Sequence, residues 1–128
     1  MDTPSTPESA GGLRQQQIEL KLRCYLDGIR QRGLISEVIA DRARTVWQRL
    51  DLATAHRVPA PDVGPGPNGE VLFVWDTEEH HFEIELSPRE TSYLFYRNRK
   101  TGSVWGDDWA EDASIPEEAL RRLSAFWR

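Results

Sequence analysis

Apolar side chains recur along this chain with two different periods, and the change of period divides it. Ile18, Leu22, Tyr25, Leu26 and Ile29 follow i, i+4, i+7, i+8 and i+11, which sets them on one stripe of a helix. Gly33 predicts the end of that helix near Arg32, because glycine enters the left-handed conformation just past a helix without a Cβ clash. Ser36 then offers an N-cap oxygen, and Ile39, Ala43, Val46, Trp47 and Leu50 repeat the helical period to about Ala55. Two helices joined by so few residues form an antiparallel hairpin.

The period shortens after a break. Residues 58–69 read VPAPDVGPGPNG, with four prolines and three glycines, a density no helix survives. An edge strand around Val63, flanked by Pro59 and Pro61, is compatible with it. Asn68-Gly69 signals a turn. Val71 to Trp75 is a β-branched and aromatic run, Phe82, Ile84 and Leu86 alternate with His81, Glu83 and Glu85, and Ser92 to Arg97 is again rich in aromatics. The short spacings demand antiparallel pairing, so the pattern predicts a meander of three or four strands over about residues 60–106, with a further short strand open at 103–106. A last helix is expected over about 115–127. Ser114 and Glu117 have capping-box spacing, Pro116 falls in the first turn, and Leu120, Leu123 and Trp127 form the stripe.

The fold class expected is therefore α+β: an N-terminal helical hairpin over about 13–32 and 37–55, the meander, and a C-terminal helix, with helices on one face of the sheet. Residues 13–128 form one domain in this reading. Residues 1–12, MDTPSTPESAGG, hold almost nothing to bury and are expected to be a flexible tail.

Composition narrows the function classes. With 128 residues and 38% hydrophobic content the chain can bury one core. Its single cysteine, Cys24, excludes an internal disulfide and fits a reducing compartment. The absence of a basic start followed by an apolar run, and of any long apolar stretch, leads to the expectation of a cytoplasmic protein with no membrane partner. The net charge of -5 argues against direct nucleic-acid binding. That charge is unevenly spread: residues 13–59 carry +4 and residues 60–128 carry -7, an asymmetry that can steer a basic partner.

Few constellations carry chemistry. Glu78, Glu79, His80, His81, Glu83 and Glu85 are of metal-ligating types, and His81, Glu83 and Glu85 share one strand face, which opens the alternative of a small metal-dependent enzyme. His80 points the other way, and a solvated polar face accounts for the pattern with no metal and no cofactor. Cys24, without a nearby histidine, reads as a small hydrophobe. No nucleophile elbow, phosphate loop, H-E-x-x-H or paired C-x-x-C occurs, so no catalytic residue is assigned and the chain is read as a non-enzyme. Among the five tryptophans, Trp47, Trp75 and Trp127 lie in core phase. Trp105 and Trp109 instead flank Asp107 and Asp108 in a loop-like stretch, a composition found in binding hot spots, with packing over the sheet edge as the competing reading. The expected partner-binding set is Trp105, Asp107, Asp108, Trp109, Glu83 and Glu85.

Pro67-Asn68-Gly69, the strand Val71 to Trp75, the strand Phe82-Glu83-Ile84-Glu85-Leu86 and the turn at Ser87-Pro88 together resemble a group of small bacterial proteins of unassigned function. In that group a Pro-rich segment precedes a P-[DN]-G turn, a strand ending in Trp and an L-E-I-E-I-like strand. Arg89-Glu90 departs from it, since the group has Asp-Gly there, and the first helix lacks the group's aspartate- and glycine-rich opening. The resemblance implies the small member of a two-gene module of toxin–antitoxin type. The reading is then a non-catalytic interaction module, antitoxin-like, immunity-like or an accessory subunit, binding one protein partner expected to be encoded nearby. A second alternative is an acidic nucleic-acid mimic that inhibits a nucleic-acid-binding enzyme.

Overall fold

The computed structural model describes residues 7–89 and 91–127, with side chains from Leu13 onward. Two helices, α1 (Pro7–Gln31) and α2 (Glu37–Ala53), precede five strands, β1 (Asp62–Pro65), β2 (Val71–Asp76), β3 (His80–Leu86), β4 (Ser92–Asn98) and β5 (Val104–Trp109). A short helix α3 (Glu117–Leu123) and a 3₁₀ turn (Ser124–Phe126) close the chain. The protein is α+β. Its sheet has five strands rather than three or four, in the order β1-β2-β3-β4-β5, and every neighbouring pair is antiparallel. Among the described residues no helix is long and apolar enough to cross a membrane.

The helical hairpin forms where the periodicity places it, and its ends show why. Gly33 adopts φ +75°, and the Leu34 N–H reaches the Ile29 carbonyl at 3.0 Å while the Gly33 N–H reaches that of Arg30 at 2.9 Å. These two bonds make the Schellman cap that glycine favours. Ser36 accepts from the Ile39 N–H at 3.2 Å and starts α2. Tyr25 is a correction, because it stands exposed beside the Lys21 ammonium instead of joining the stripe. Cys24 is exposed as well, so it fills no space in the core. The helix reaches back to Pro7, within the segment expected as a tail, and residues 1–6 of that segment lie outside the described residues.

The end of the chain differs from its capping signal. Pro116, not Ser114, occupies the N-cap of α3, and no side chain caps that helix. The Ser114 carbonyl is instead taken by the Trp109 indole N–H at 3.3 Å. Trp127, expected in the core, is half-buried under the Arg57 guanidinium.

The core lies on one face of the sheet. Val71, Phe73 and Trp75 of β2, Phe82, Ile84 and Leu86 of β3, and Leu94 and Tyr96 of β4 join Leu26, Ile39, Val46, Trp47, Leu50 and Leu123 of the helices in one buried cluster. Trp75 also donates its indole N–H to the Pro59 carbonyl at 2.8 Å, tying the proline-rich segment to β2.

Candidate functional site

The side chains of the opposite sheet face take no part in that cluster. Register places them in rows. One row runs Gly64, Leu72, Glu85, Tyr93 and Asp108 across the five strands, and the next runs Asp62, Val74, Glu83, Phe95 and Gly106. A third, toward the other end, holds Asp76, His81, Arg97 and Val104. Leu72, Val74 and Phe95 are half-buried by their neighbours alone, while Tyr93 and Val104 are 42% and 60% exposed. The result is an apolar and aromatic floor crossed by carboxylates. β2 could supply it because its run Val71-Leu72-Phe73-Val74-Trp75 is apolar at consecutive positions, and a period of two then puts apolar groups on both faces.

Local packing holds this face in shape. Gly106 leaves a gap in β5 that the Tyr93 phenol crosses, since a β-carbon there would collide with the phenol oxygen and approach the Leu94 carbonyl to 3.3 Å. A cross-strand aromatic covering an edge glycine is a known device for restoring sheet packing. Arg97 lies over the Phe95 ring at 5.7 Å. Asp76 accepts from Nδ1 of His81 at 2.8 Å and pairs with Arg99 at 2.8 Å, and these two partners, His81 first, hold its carboxyl below the usual range.

Among the described residues Glu85 has no such partner. Burial by the apolar floor, and after it the neighbouring charges of Glu70 and Glu83, push its carboxyl above the usual range. Its ionised form is therefore disfavoured where it stands, and a cation brought against it would relieve that cost.

The six residues expected to bind a partner separate onto two faces. Glu83, Glu85 and Asp108 share the open face. Trp105, Asp107 and Trp109 alternate onto the helix side, paired with Tyr96, Leu94 and Ser92. The stretch is a strand and not a loop, so its alternation decides which way each ring points. Trp109 is only 4% exposed and belongs to the core, with Arg49 5.8 Å from its ring. Trp105 packs half-buried against the same core, and Asp107 is exposed.

Comparison with protein-family models, curated proteins and solved structures finds no match.

The geometry of the open face does not assemble a metal centre. His81 is engaged by Asp76, and its Nε2 lies 3.8 Å from Glu83. Glu85 is one register step further along β3, and among the described residues no group of three or more His, Cys, Asp or Glu side chains is placed to hold a metal ion. His80 turns to the helix side, where Nδ1 meets the Tyr96 hydroxyl at 2.7 Å.

Two polar arrangements escaped the sequence reading. Glu111, just after β5, receives Arg42 of α2 on both carboxylate oxygens and the Ser92 hydroxyl at 2.7 Å, while Arg49 donates to the carbonyls of Glu111 and Ala113. Burial alone would raise the Glu111 carboxyl, but the bonds from Arg42 and Ser92 hold it below the usual range. At the end of α2, buried Asp51 accepts from Gln15 of α1 at 2.9 Å and contacts Nδ1 of His56 at 2.9 Å. Gln15 and Asp51 lie 36 positions apart, and Arg42 and Glu111 lie 69 apart, so neither pairing leaves a local signal in the sequence. The outward apolar residues did have one, in the unbroken run of β2.

Proposed function

We propose that this chain is a non-catalytic protein-interaction module, of the antitoxin-like, immunity-like or accessory-subunit kind, which binds one basic protein partner through the open face of its sheet. The observation that carries the reading is the Glu85 carboxylate, set between Leu72 and Tyr93 in an apolar floor and without an ion-pair partner among the described residues. Leu72, Val74, Tyr93 and Phe95 give the centre of such an interface, and Glu83, Glu85 and Asp108 give it sign. An apolar centre supplies affinity when desolvated, and surrounding charge supplies steering and choice of partner. A nucleic-acid-binding enzyme, whose own site is basic, is one partner of this kind.

The test begins with affinity purification from native cells and continues with the partner so identified. Phe95→Ala should weaken binding at least about thirtyfold, or roughly 2 kcal/mol, as loss of a hot-spot aromatic does, while the protein stays folded. Glu83→Gln and Glu85→Gln should slow association and flatten its salt dependence. Unchanged affinity in a variant carrying all three substitutions would sink the proposal.

A further inference from the structure

The two edges of the sheet are built differently. β1 is a four-residue edge containing Gly64 and Pro65, and α1 packs beside it, with Ile18 and Leu22 of the helix and Val63 of the strand in the same apolar cluster. Proline and a covering helix both blunt an edge. β5 has six residues and no proline.

The hydrogen-bonding phase of β5 follows from the turn before it. Gly102 adopts φ +77°, its N–H donates to the Asn98 carbonyl at 2.9 Å, and the Asn98 N–H donates to the Ser103 carbonyl at 2.8 Å. This is a glycine bulge, and it makes Asn98 and Ser103 a hydrogen-bonded position. Bonded and non-bonded positions alternate along an antiparallel pair. Tyr96 with Trp105, Leu94 with Asp107, and Ser92 with Trp109 are then the bonded positions in the observed register. Val104, Gly106 and Asp108 turn their N–H and C=O groups away from β4. All three residues are exposed, and among the described residues nothing is hydrogen-bonded to those backbone groups.

We infer that β5 is a docking edge, which takes an extended basic segment of a protein partner as a sixth strand. The inference rests on the reading of this chain as a binder of a basic protein, but it uses the backbone of β5 instead of the open face. Charge selects the occupant. Asp107 and Asp108 stand on opposite faces of the edge, so adjacent Lys or Arg residues in the incoming strand meet one carboxylate on each side. A second copy of this chain would bring another half of charge -7 against the first, and that repulsion disfavours edge-to-edge pairing of two copies.

The experiment uses a capped peptide, Val-Thr-Lys-Lys-Thr-Val, and a control with both lysines replaced by glutamate. Backbone amide exchange followed by NMR on the whole chain should show at least tenfold added protection at Val104, Gly106 and Asp108 with the lysine peptide and none with the control. Val104→Pro and Asp108→Pro should each weaken peptide binding at least tenfold. Neither removes an N–H used inside the sheet, so both should keep the fold. Should either fail to fold, the exchange pattern of the unmodified protein still decides. Phe95→Ala should bind the peptide normally, which separates this edge from the open face. Protection confined to open-face residues, equal binding of the glutamate peptide, or normal binding by both folded proline variants overturns the inference. So does dimerisation that protects the same three amides without peptide, because the occupant would then be a second copy.

Discussion

Trp109→Ala tests whether the last strand is anchored by its indole. Trp109 closes β5 opposite Ser92 and lines a small internal void with Val46, Leu50, Leu94, Ile115 and Leu123. Truncating a buried aromatic to alanine costs about 3–5 kcal/mol, because the neighbours refill the space only in part. The indole bond to the Ser114 carbonyl is long, at 3.3 Å, and adds about 0.5 kcal/mol. Loss of the Arg49 contact at 5.8 Å adds another ~0.5 kcal/mol. The expected total is about 4–6 kcal/mol. Unfolding entropy near ~2.1 cal/mol/K per residue, taken over 128 residues, converts this to a fall in Tm of about 15–22 °C. Urea titration followed by far-ultraviolet circular dichroism measures the free energy, and an unchanged m-value guards against a change in the unfolded state. Trp109→Phe should recover more than half of the loss. A loss below about 2 kcal/mol for the alanine variant would refute the assignment of this ring to the core, and with it the phase of β5.

Three further outcomes follow from charge and backbone geometry. Glu111 has its folded carboxyl held below the usual range, so its contribution is complete above the unfolded pKa and disappears as pH falls through the folded one. The Tm difference between the wild type and Glu111→Gln, measured by calorimetry, should therefore shrink on acidification, and a difference independent of pH contradicts this. Glu85 has the opposite sign: its folded carboxyl is raised, so ionisation costs stability as pH rises through that value. Glu85→Gln should raise Tm at neutral pH, with the gain vanishing below the unfolded carboxylate range, and a lowered Tm at neutral pH would count against the unpaired charge. Gly33→Ala meets no atom within 4 Å but retains φ +75°, so the cost is conformational alone, about 1 kcal/mol or ~4 °C in Tm. A fall beyond about 3 kcal/mol would point to a steric clash instead.

The helices and most strands were legible because their signals are local. Ile39, Ala43, Val46, Trp47 and Leu50 announce α2 by spacing alone, and all five are buried. Phe82, Ile84 and Leu86 announce β3 in the same way. What the residues did not disclose is which side of the sheet would be left bare. Trp105 and Trp109 looked available because aromatics beside aspartates resemble a surface loop, yet strand alternation sends both rings to the helix side. Ser114 carried a cap signal, but α3 starts later, with Pro116 at its N-cap. The Glu111 clasp depends on bringing α2 and the segment after β5 together, and only the assembled fold does that.

The unbroken order of the sheet bears on how the chain acquires its structure. Each strand pairs with its successor across a connection of three to five residues, so the ladder can grow by successive short loop closures. Topologies dominated by such local pairings fold faster than those that must first close long loops. The clasp between Arg42 and Glu111 spans 69 residues and belongs to the late, expensive closures. Substitutions there should leave the folding rate nearly unchanged and quicken unfolding, whereas substitutions at the β3–β4 pairing of Ile84 with Leu94 should slow folding itself.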